Sequence, residues 1–416
     1  MLPVCTLATH LTGTDMNIKM NLIKLRSKGF WYWFWVVLLV TAGTYLGDKL
    51  GKWDGWIDWR NSIYQFQTHR IRPEPYVQAT EVVLIEDKDY WSGSLGRRSP
   101  IKRDYLAKLL RALDSADPKV IALDFDLRSP MPDGSMVEHP DYKLETEQLL
   151  QAIKDVSRHR AVVLPKTIGG GSGGIYELES DIYDGFEFGG GNVRKGYIAL
   201  PYDIRQITPT LPLTTGESIN SFALSIVRAY NDKALPRLQN NYAVKFSSFM
   251  LPDAFDQFSA SDVLDSDSRV LSKLAHRIVI VGGSWRKFAY TRGDQVDSYP
   301  TPIGKIVGAL IHANYVEALL GQQVYEPMSK WLAVSIEVSL TLIVAIIFAL
   351  DVQLRWKVGG VLLLWGILLV CGYAFLQNLG LFFDFFVPSV LVGLHAGFER
   401  IREWRTAYAK LKEVRQ

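Results

Sequence analysis

The sequence has few cysteines and no strong excess of either charge. Cys5 and Cys371 are its two cysteines, which excludes a disulfide framework and a cysteine-based zinc site. Lys and Arg number 46 against 43 Asp and Glu, and the formal net charge is only +3. Nucleic-acid binding normally needs a strongly basic face. We therefore expect no nucleic-acid partner.

Motifs for phosphate binding, metal binding and catalysis are also missing. The glycine-rich runs at residues 169–174 and 189–191 lack the Gly-Lys-Ser/Thr step of a phosphate-binding loop, so we interpret them as loops. No two histidines have the spacing of a metal site, and no Ser/His/Asp motif stands in a recognisable context. We expect no enzymatic activity, no metal and no cofactor.

Apolar residues are concentrated in one run near the N-terminus and three near the C-terminus, which is not the pattern of a soluble globular protein. The runs predict four transmembrane helices, one at residues 30–47 and three within residues 330–397. The first run opens with Trp31, Tyr32 and Trp33, whose rings favour the lipid headgroup level. A cleaved signal peptide is the alternative for this run, but no convincing small-residue cleavage site follows it.

Basic residues indicate how the four spans are oriented. They precede the first run, lie in the link at residues 351–357 and recur after residue 397. Four spans put all of these segments on the cytoplasmic side, as the positive-inside rule requires, whereas three would leave the basic tail outside. We predict a multi-pass protein of the bacterial inner membrane with cytoplasmic segments at residues 1–29 and 398–416. Residues 1–15 lack periodicity and are either a misplaced start or a loose tail.

Several residues near the membrane have two interpretations. Glu337 and Asp384 lie within predicted spans, where an acid marks a partner or pathway, or is simply exposed at the interface. Trp53, Trp56 and Trp59 recur every third residue and indicate an interfacial helix. A ligand-stacking surface is the alternative for these three rings.

Residues 48–329 are predicted to form an extracytoplasmic domain. Apolar runs at residues 81–87, 120–126 and 161–165 indicate buried strands. Helical patterns separate them, one beginning at Ser99-Pro100 as N-cap and first helical residue, the other at residues 143–157. Further elements are a helix at 221–230, a strand at 277–283 and an amphipathic helix at 308–320. The order predicts an α/β fold, with a largely parallel sheet and flanking helices.

Three acidic residues stand at or near the carboxyl ends of predicted parallel strands. They are Asp87, Asp124 and Asp126. Ligands of open α/β sheets bind at such ends, so these residues are candidate ligand contacts. The alternative is structural: they cap helices or pair with Arg98 or Arg103.

Asp294 and His312 form a second candidate group. A single histidine near the start of a helix is commonly a satisfied structural group. The alternative is a pH-sensitive switch, because histidine titrates near neutrality. The ligand-binding candidates are thus Asp87, Arg103, Asp124, Asp126, Asp294 and His312.

Four stretches resemble a known family. They are Val82-Val-Leu-Ile-Glu-Asp87, Ser99-Pro-Ile-Lys-Arg-Asp-Tyr-Leu-Ala-Lys-Leu-Leu110, Val120-Ile-Ala-Leu-Asp-Phe-Asp126, and the closing segment Arg277-Ile-Val-Ile-Val-Gly-Gly283 through Asp294 and Thr301-Pro302 to Gly308-Ala-Leu-Ile-His-Ala-Asn314. They resemble the type-two CHASE domain, an extracytoplasmic sensory module of bacterial membrane receptors. The predicted layout, one span before the domain and three after it, is similar as well. The resemblance implies a cyclase or kinase output domain, for which residues 398–416 are too short.

The leading functional hypothesis is therefore a receptor-like membrane protein. Its extracytoplasmic domain senses a ligand or an envelope state, and a separate cytoplasmic or membrane partner carries the output. A structural or docking subunit of a larger membrane assembly is the alternative.

The tail at residues 398–416 has an a/d pattern of apolar residues. This pattern predicts either a helix that pairs with itself or with a partner, or a helix that lies on the inner leaflet. Its apolar positions are Ile401, Trp404, Tyr408 and Leu411.

Overall fold

The computed structural model divides into two compact units, each described by itself. One comprises Gly51–Lys330 with Leu369–Phe386, and the other Met1–Leu50, Trp331–Leu368 and Val387–Gln416. The structure describes residues 54–68, 78–91, 94–129, 140–170, 176–231, 243–288, 295–349 and 354–383, together with Trp31, Trp35, Leu39, Arg405 and Tyr408.

The described strands and helices are numbered in chain order. The strands are β1 (Thr80–Ile85), β2 (Val120–Leu123), β3 (Ala161–Lys166), β4 (Ile168–Gly169), β5 (Glu177–Leu178), β6 (Val193–Tyr197), β7 (Gln206–Ile207), β8 (Thr210–Pro212), β9 (Ser218–Asn220), β10 (Lys245–Ser247), β11 (Gln257–Ser259), β12 (Ile278–Gly283), β13 (Ser298–Thr301), β14 (Gly304–Val307), β15 (Val324–Pro327) and β16 (Leu381–Phe382). The helices are α1 (Asp54–Thr68), α2 (Asp87–Trp91), α3 (Arg103–Asp114), α4 (Tyr142–Ser157), α5 (Phe222–Tyr230), α6 (Ala260–Leu264), α7 (Ser268–Leu274), α8 (Gly308–Leu320), α9 (Lys330–Ala349) and α10 (Leu354–Leu379), with a 3-10 turn at Pro252–Ala254.

A six-stranded sheet organises the larger unit, in the order β11-β1-β12-β2-β3-β6. Every neighbouring pair in it is parallel. The last strand of the predicted set, β12, lies between the first two, and Val279 pairs with both Glu81 and Ile121. The prediction of an α/β fold with a largely parallel sheet and flanking helices is confirmed.

Helices cover both faces of this sheet. Val83, Ile121 and Val279 point to the face that packs with α3 and α4. Their neighbours Val82 and Ile280 point to the opposite face, where α5 and α8 lie. Because both faces are buried, the strands are apolar at consecutive positions rather than at every second one. This explains the continuous apolar runs of the sequence.

Two predicted helices differ from those observed. The helix expected at Ser99-Pro100 begins at Arg103, with Lys102 as its N-cap, and the Pro100 carbonyl instead accepts a hydrogen bond from Tyr142. The helix α8, predicted to be amphipathic, is buried from Gly308 to Leu319. It packs on the sheet, on α5 and on β10, so the polar side chains along it also face protein.

A smaller sheet, in the order β16-β15-β10-β7, lies in the same unit and holds α1. The buried hydroxyl of Tyr64 in α1 donates to the Ser247 carbonyl at 2.6 Å, and its ring meets Phe382 edge-on. Strand β16 pairs with β15 through Glu326 and Leu381. Leu381 and Phe382 thus form a strand inside residues 330–397, for which three spans are predicted, and residues 384–397 lie outside the described residues.

Among the described residues, one helix is long and apolar enough to cross a membrane. It is Arg355–Leu379, with a mean hydropathy of 2.2, and it lies within residues 330–397, for which three spans are predicted. Trp331–Val344, within α9, is a shorter apolar helix. Trp31, Trp35 and Leu39 of the first predicted span are helical, and the remainder of that span lies outside the described residues.

Candidate functional site

A pocket of about 350 Å³ opens at the carboxyl ends of β1, β12 and β2. The helix after β12 lies on one face of the sheet, whereas those after β1 and β2 lie on the other. The chain therefore turns to opposite faces of the sheet at this point, and open α/β sheets commonly bind ligands at such topological switch points. We call this the acidic pocket, and its lining residues are Tyr90, Arg98, Ser99, Pro100, Ile101, Asp124, Phe125, Asp126, Arg128, Ile198, Gly283, Trp285, Val296 and Asp297.

Asp124 is the most unusual of these residues. It directly follows β2, and its backbone N–H donates to the Val281 carbonyl at 2.8 Å, which holds the residue against β12. Its side chain is only 7% exposed. Within the part of the chain that the structure describes, its carboxylate accepts no hydrogen bond. Burial raises the pKa of Asp124 to about 8, and the nearby charge of Asp297 adds to the increase.

His312 lies behind Asp124, on the first turns of α8. Its Nε2 is 3.7 Å from Asp124 Oδ1, and its side chain is 6% exposed. Burial lowers the pKa of His312 to about 4, while the Ile198 backbone opposes that decrease. Both groups are therefore uncharged at neutral pH. Of the two, Asp124 has the pKa closer to 7. The predicted companion of His312, Asp294, lies outside the described residues.

Asp297 is the second carboxylate of the pocket, and sequence reasoning missed it in favour of Asp294. The hydroxyl of Tyr299 donates to its Oδ1 at 2.7 Å. A β-carbon at Gly308 would overlap Asp297 Oδ2, so the glycine that opens α8 makes room for this carboxylate. Asp297 is solvent-accessible, yet the surrounding protein removes part of its hydration, which raises its pKa. The only sequence signal was an acidic loop ahead of the Thr301-Pro302 step.

An aromatic wall closes another side of the pocket. The rings of Tyr90 and Trp285 stack with centroids 4.5 Å apart and planes 8° from parallel. A β-carbon at Gly283 would overlap the Trp285 ring, so the glycine that ends β12 lets this ring lie across the strand end. Gly283 and Gly308 both belong to the closing segment of the family resemblance. In this chain a larger residue at either position would displace a side chain that lines the pocket.

The other predicted site residues have partners of their own. Asp126 is a lining residue, but Arg128 binds it through Nε at 3.0 Å and Nη2 at 2.6 Å. Asp87 accepts the Arg286 N–H at 2.7 Å and thereby ties the ends of β1 and β12 together. Arg103 lies outside the lining of the pocket: its Nη1 donates to Thr146 at 2.5 Å.

The structural alternative paired the strand-end acids with Arg98 or Arg103, but both arginines bind residues of α4 instead. Arg98 forms a salt bridge with Glu145, which also accepts the Arg103 N–H at 3.1 Å. Their guanidinium carbons lie 4.6 and 4.8 Å from the centre of the Tyr142 ring. These contacts fix the segment before α3, so both arginines position the rim of the pocket.

A second cavity lies on the other side of His312. It measures about 260 Å³ and is lined mainly by aromatic and aliphatic residues, among them Tyr197, Phe222 and Tyr315. The hydroxyl groups of Tyr197 and Tyr315 donate to backbone carbonyls. The His312 Nδ1 is buried without a hydrogen bond of ordinary geometry to any described residue. His312 thus separates an acidic pocket from an aromatic one.

Comparison with known proteins supports the family resemblance of the sequence. The described residues contain no group of three or more His, Cys, Asp or Glu side chains arranged to hold a metal ion. No curated protein and no solved structure matches the chain. The family model of the CHASE2 domain matches residues 35–351, well over half of the 416 residues. The chain therefore belongs to the family of CHASE2 domains, which are extracytoplasmic sensory domains.

Proposed function

We propose that this protein is a membrane receptor that detects a small ligand in the acidic pocket and reports its presence to a separate cytoplasmic partner. The observation that carries the proposal is Asp124. A carboxylate that is more than nine-tenths buried and has no hydrogen bond costs free energy, and such a group is retained where a ligand supplies the missing contacts. The sensory role of the family supports the same conclusion.

We further propose that the pocket binds its ligand without converting it. Asp124 and His312 are both neutral at neutral pH, and neither is hydrogen-bonded to a Ser or Cys side chain among the described residues. A general base must be unprotonated and must lie within about 3 Å of the substrate proton that it removes. Asp124 is protonated at neutral pH, and the low pKa of His312, about 4, makes it a weak base, which favours a binding role.

The membrane arrangement is part of the proposal. Four spans with both termini in the cytoplasm would place residues 48–329 outside and the basic tail inside the cell. The apolar helix Arg355–Leu379 and the basic residues of the link and tail support this arrangement. In it, a change in the pocket reaches the cytoplasm through the spans.

Cysteine labelling tests the topology. In a chain with Cys5 and Cys371 replaced by serine, Thr215→Cys lies at an exposed turn between β8 and β9. An impermeant maleimide should label it in intact spheroplasts, and should label a control Ala409→Cys only after the membrane is opened. Labelling of Ala409→Cys in intact spheroplasts would contradict the proposed orientation.

Purification of the full chain from native membranes tests the receptor role. A receptor should recover a cytoplasmic protein in an amount that changes with Asp124→Asn, because the variant alters the pocket. Asp253→Asn, an exposed substitution outside the pocket lining, serves as the matched control. A docking subunit predicts the opposite result, with the same partners recovered from all three proteins. That outcome would exclude the receptor and favour the docking function.

A further inference from the structure

We infer that the acidic pocket binds a small organic cation, with a protonated amine group seated between Asp124 and Asp297. The inference rests on the pocket being the sensory site proposed above and adds the class of its ligand. Its basis is the distribution of charge in the lining, the aromatic wall and the size of the cavity. A cavity of about 350 Å³ lies at the small end of the usual range for ligand pockets.

The positive charges of the lining are already compensated within the protein. Arg128 is bound by Asp126, and its Nη1 lies 3.3 Å from Glu179. Arg98 is bound by Glu145, with only 14% and 9% of the two side chains exposed. The charge of both arginines is therefore already neutralised, and the buried Nε of Arg98 has no hydrogen-bond partner among the described residues.

The negative charges of the lining are not all compensated. Asp124 has no hydrogen-bond donor among the described residues, and Asp297 receives only the Tyr299 hydroxyl. A buried carboxylate without a partner is stable only when it is protonated or when a cation occupies the pocket. The lining therefore lacks one positive charge, and an ammonium group would supply it together with N–H donors.

The aromatic wall fits the same ligand. Organic cations bind against the faces of tryptophan and tyrosine, and this attraction is strongest where water is excluded. Tyr90 and Trp285 line the pocket as a stacked pair, and Tyr90 is only 8% exposed. The water shell of a hydrated metal ion gains little from contact with aromatic rings, whereas the alkyl groups next to an ammonium centre pack against them.

Binding of a cation should be linked to release of a proton. The groups that face Asp124 are His312 from α8, Asp297 and Tyr299 from the segment before β14, and Arg98 across the pocket. His312 remains neutral above pH 5 because its pKa is about 4. Asp124 must ionise to attract the ligand, so affinity should rise as the pH increases toward about 8. It should fall again only near pH ~10, where a primary amine loses its proton.

The experiment uses the purified full chain in detergent and two probes of equal size and opposite charge, n-butylammonium and butyrate. Calcium chloride is the third probe, and the melting temperature and a calorimetric titration are the two readouts. We expect stabilisation and binding with n-butylammonium alone. Asp124→Asn should weaken that binding at least tenfold, and Asp253→Asn should leave it unchanged. The affinity for n-butylammonium should increase between pH 6 and pH 8.

Other outcomes would overturn the inference in distinguishable ways. Binding of butyrate or calcium that depends on Asp124 would exclude an organic cation and leave the receptor proposal in place. Binding of n-butylammonium that Asp124→Asn does not weaken would show that the cation binds elsewhere. If no probe binds, the ligand class is wrong, and the dependence of partner recovery on Asp124 then decides whether the receptor proposal survives.

Discussion

Replacement of Asp124 by asparagine should stabilise the unliganded protein while it removes ligand binding. The wild-type side chain is buried without a hydrogen-bond donor among the described residues, and its pKa rises from 3.8 to about 8. Asparagine has the same shape but no charge to bury. A functional group held at a cost in stability typically behaves in this way, because the ligand and not the fold requires it.

The size of the effect depends on pH. Below pH 3.8 the carboxyl group is protonated in both the folded and the unfolded chain, so wild type and variant should melt alike. As the pH rises, the unfolded chain ionises first and the folded wild type loses relative stability until the pH passes about 8. At about 1.4 kcal/mol per pKa unit, the variant should gain about 2 kcal/mol at pH 5 and about 4 kcal/mol at pH 7.

Thermal unfolding of both proteins, measured by circular dichroism at several pH values without ligand, is the assay. A gain of about 4 kcal/mol corresponds to a rise in melting temperature of roughly 10 °C for a domain of this size. Asp126→Asn is the control two residues away. Its carboxylate forms a half-exposed salt bridge, so its loss should lower stability by ~0–1 kcal/mol. An Asp124→Asn protein that melts below wild type at pH 7, or whose difference is independent of pH, would refute the reasoning.

Three further outcomes are expected. Gly308→Ala should displace the Asp297 carboxylate and weaken binding of n-butylammonium, and unchanged affinity would show that Asp297 does not contact the ligand. Tyr64→Phe removes a buried hydrogen bond between α1 and the smaller sheet, and should lower stability by about 1 kcal/mol in thermal melts; an unaltered melting temperature would contradict that contribution. Ile401→Asp combined with Leu411→Asp, two positions outside the described residues, should abolish oligomer formation or partner binding in detergent if the tail helix pairs. An unchanged sedimentation coefficient would leave only the interpretation of a helix on the membrane surface.

The strands of the sheet could be predicted because their signal is local. Consecutive apolar positions at residues 120–123 and 278–283 reflect burial on both faces, which a parallel sheet with helices on either side requires. The start of α3 was predicted wrongly, since Ser99-Pro100 has the sequence of a helix start while tertiary contacts hold this segment outside the helix. Likewise, the polar residues of α8 suggested an exposed face, but the neighbouring elements cover that face as well.

The candidate site was only partly predictable. Asp124 and Asp126 follow a strand and are two residues apart, yet one is buried without a donor and the other is bound by Arg128. Both are aspartates in the same short segment after β2, so the sequence cannot tell which one is buried. The packing of α8 against the strand end buries Asp124. Asp297 could not be predicted as a site residue, because it lies in a loop without periodicity and far along the chain from Asp124 and Asp126, with which it lines the pocket.

The amino-acid sequence by itself determined the class of the fold, one apolar helix long enough to cross a membrane and the family, because hydrophobic periodicity and short motifs are properties of neighbouring residues. Tertiary structure alone decided which side chains share the pocket. Insertion of β12 between β1 and β2 brings the segments after three distant strands to one edge of the sheet. That insertion leaves Asp124 buried beside His312 and Asp297, and its altered pKa follows from the surroundings that the fold creates rather than from any residue next to it in the chain.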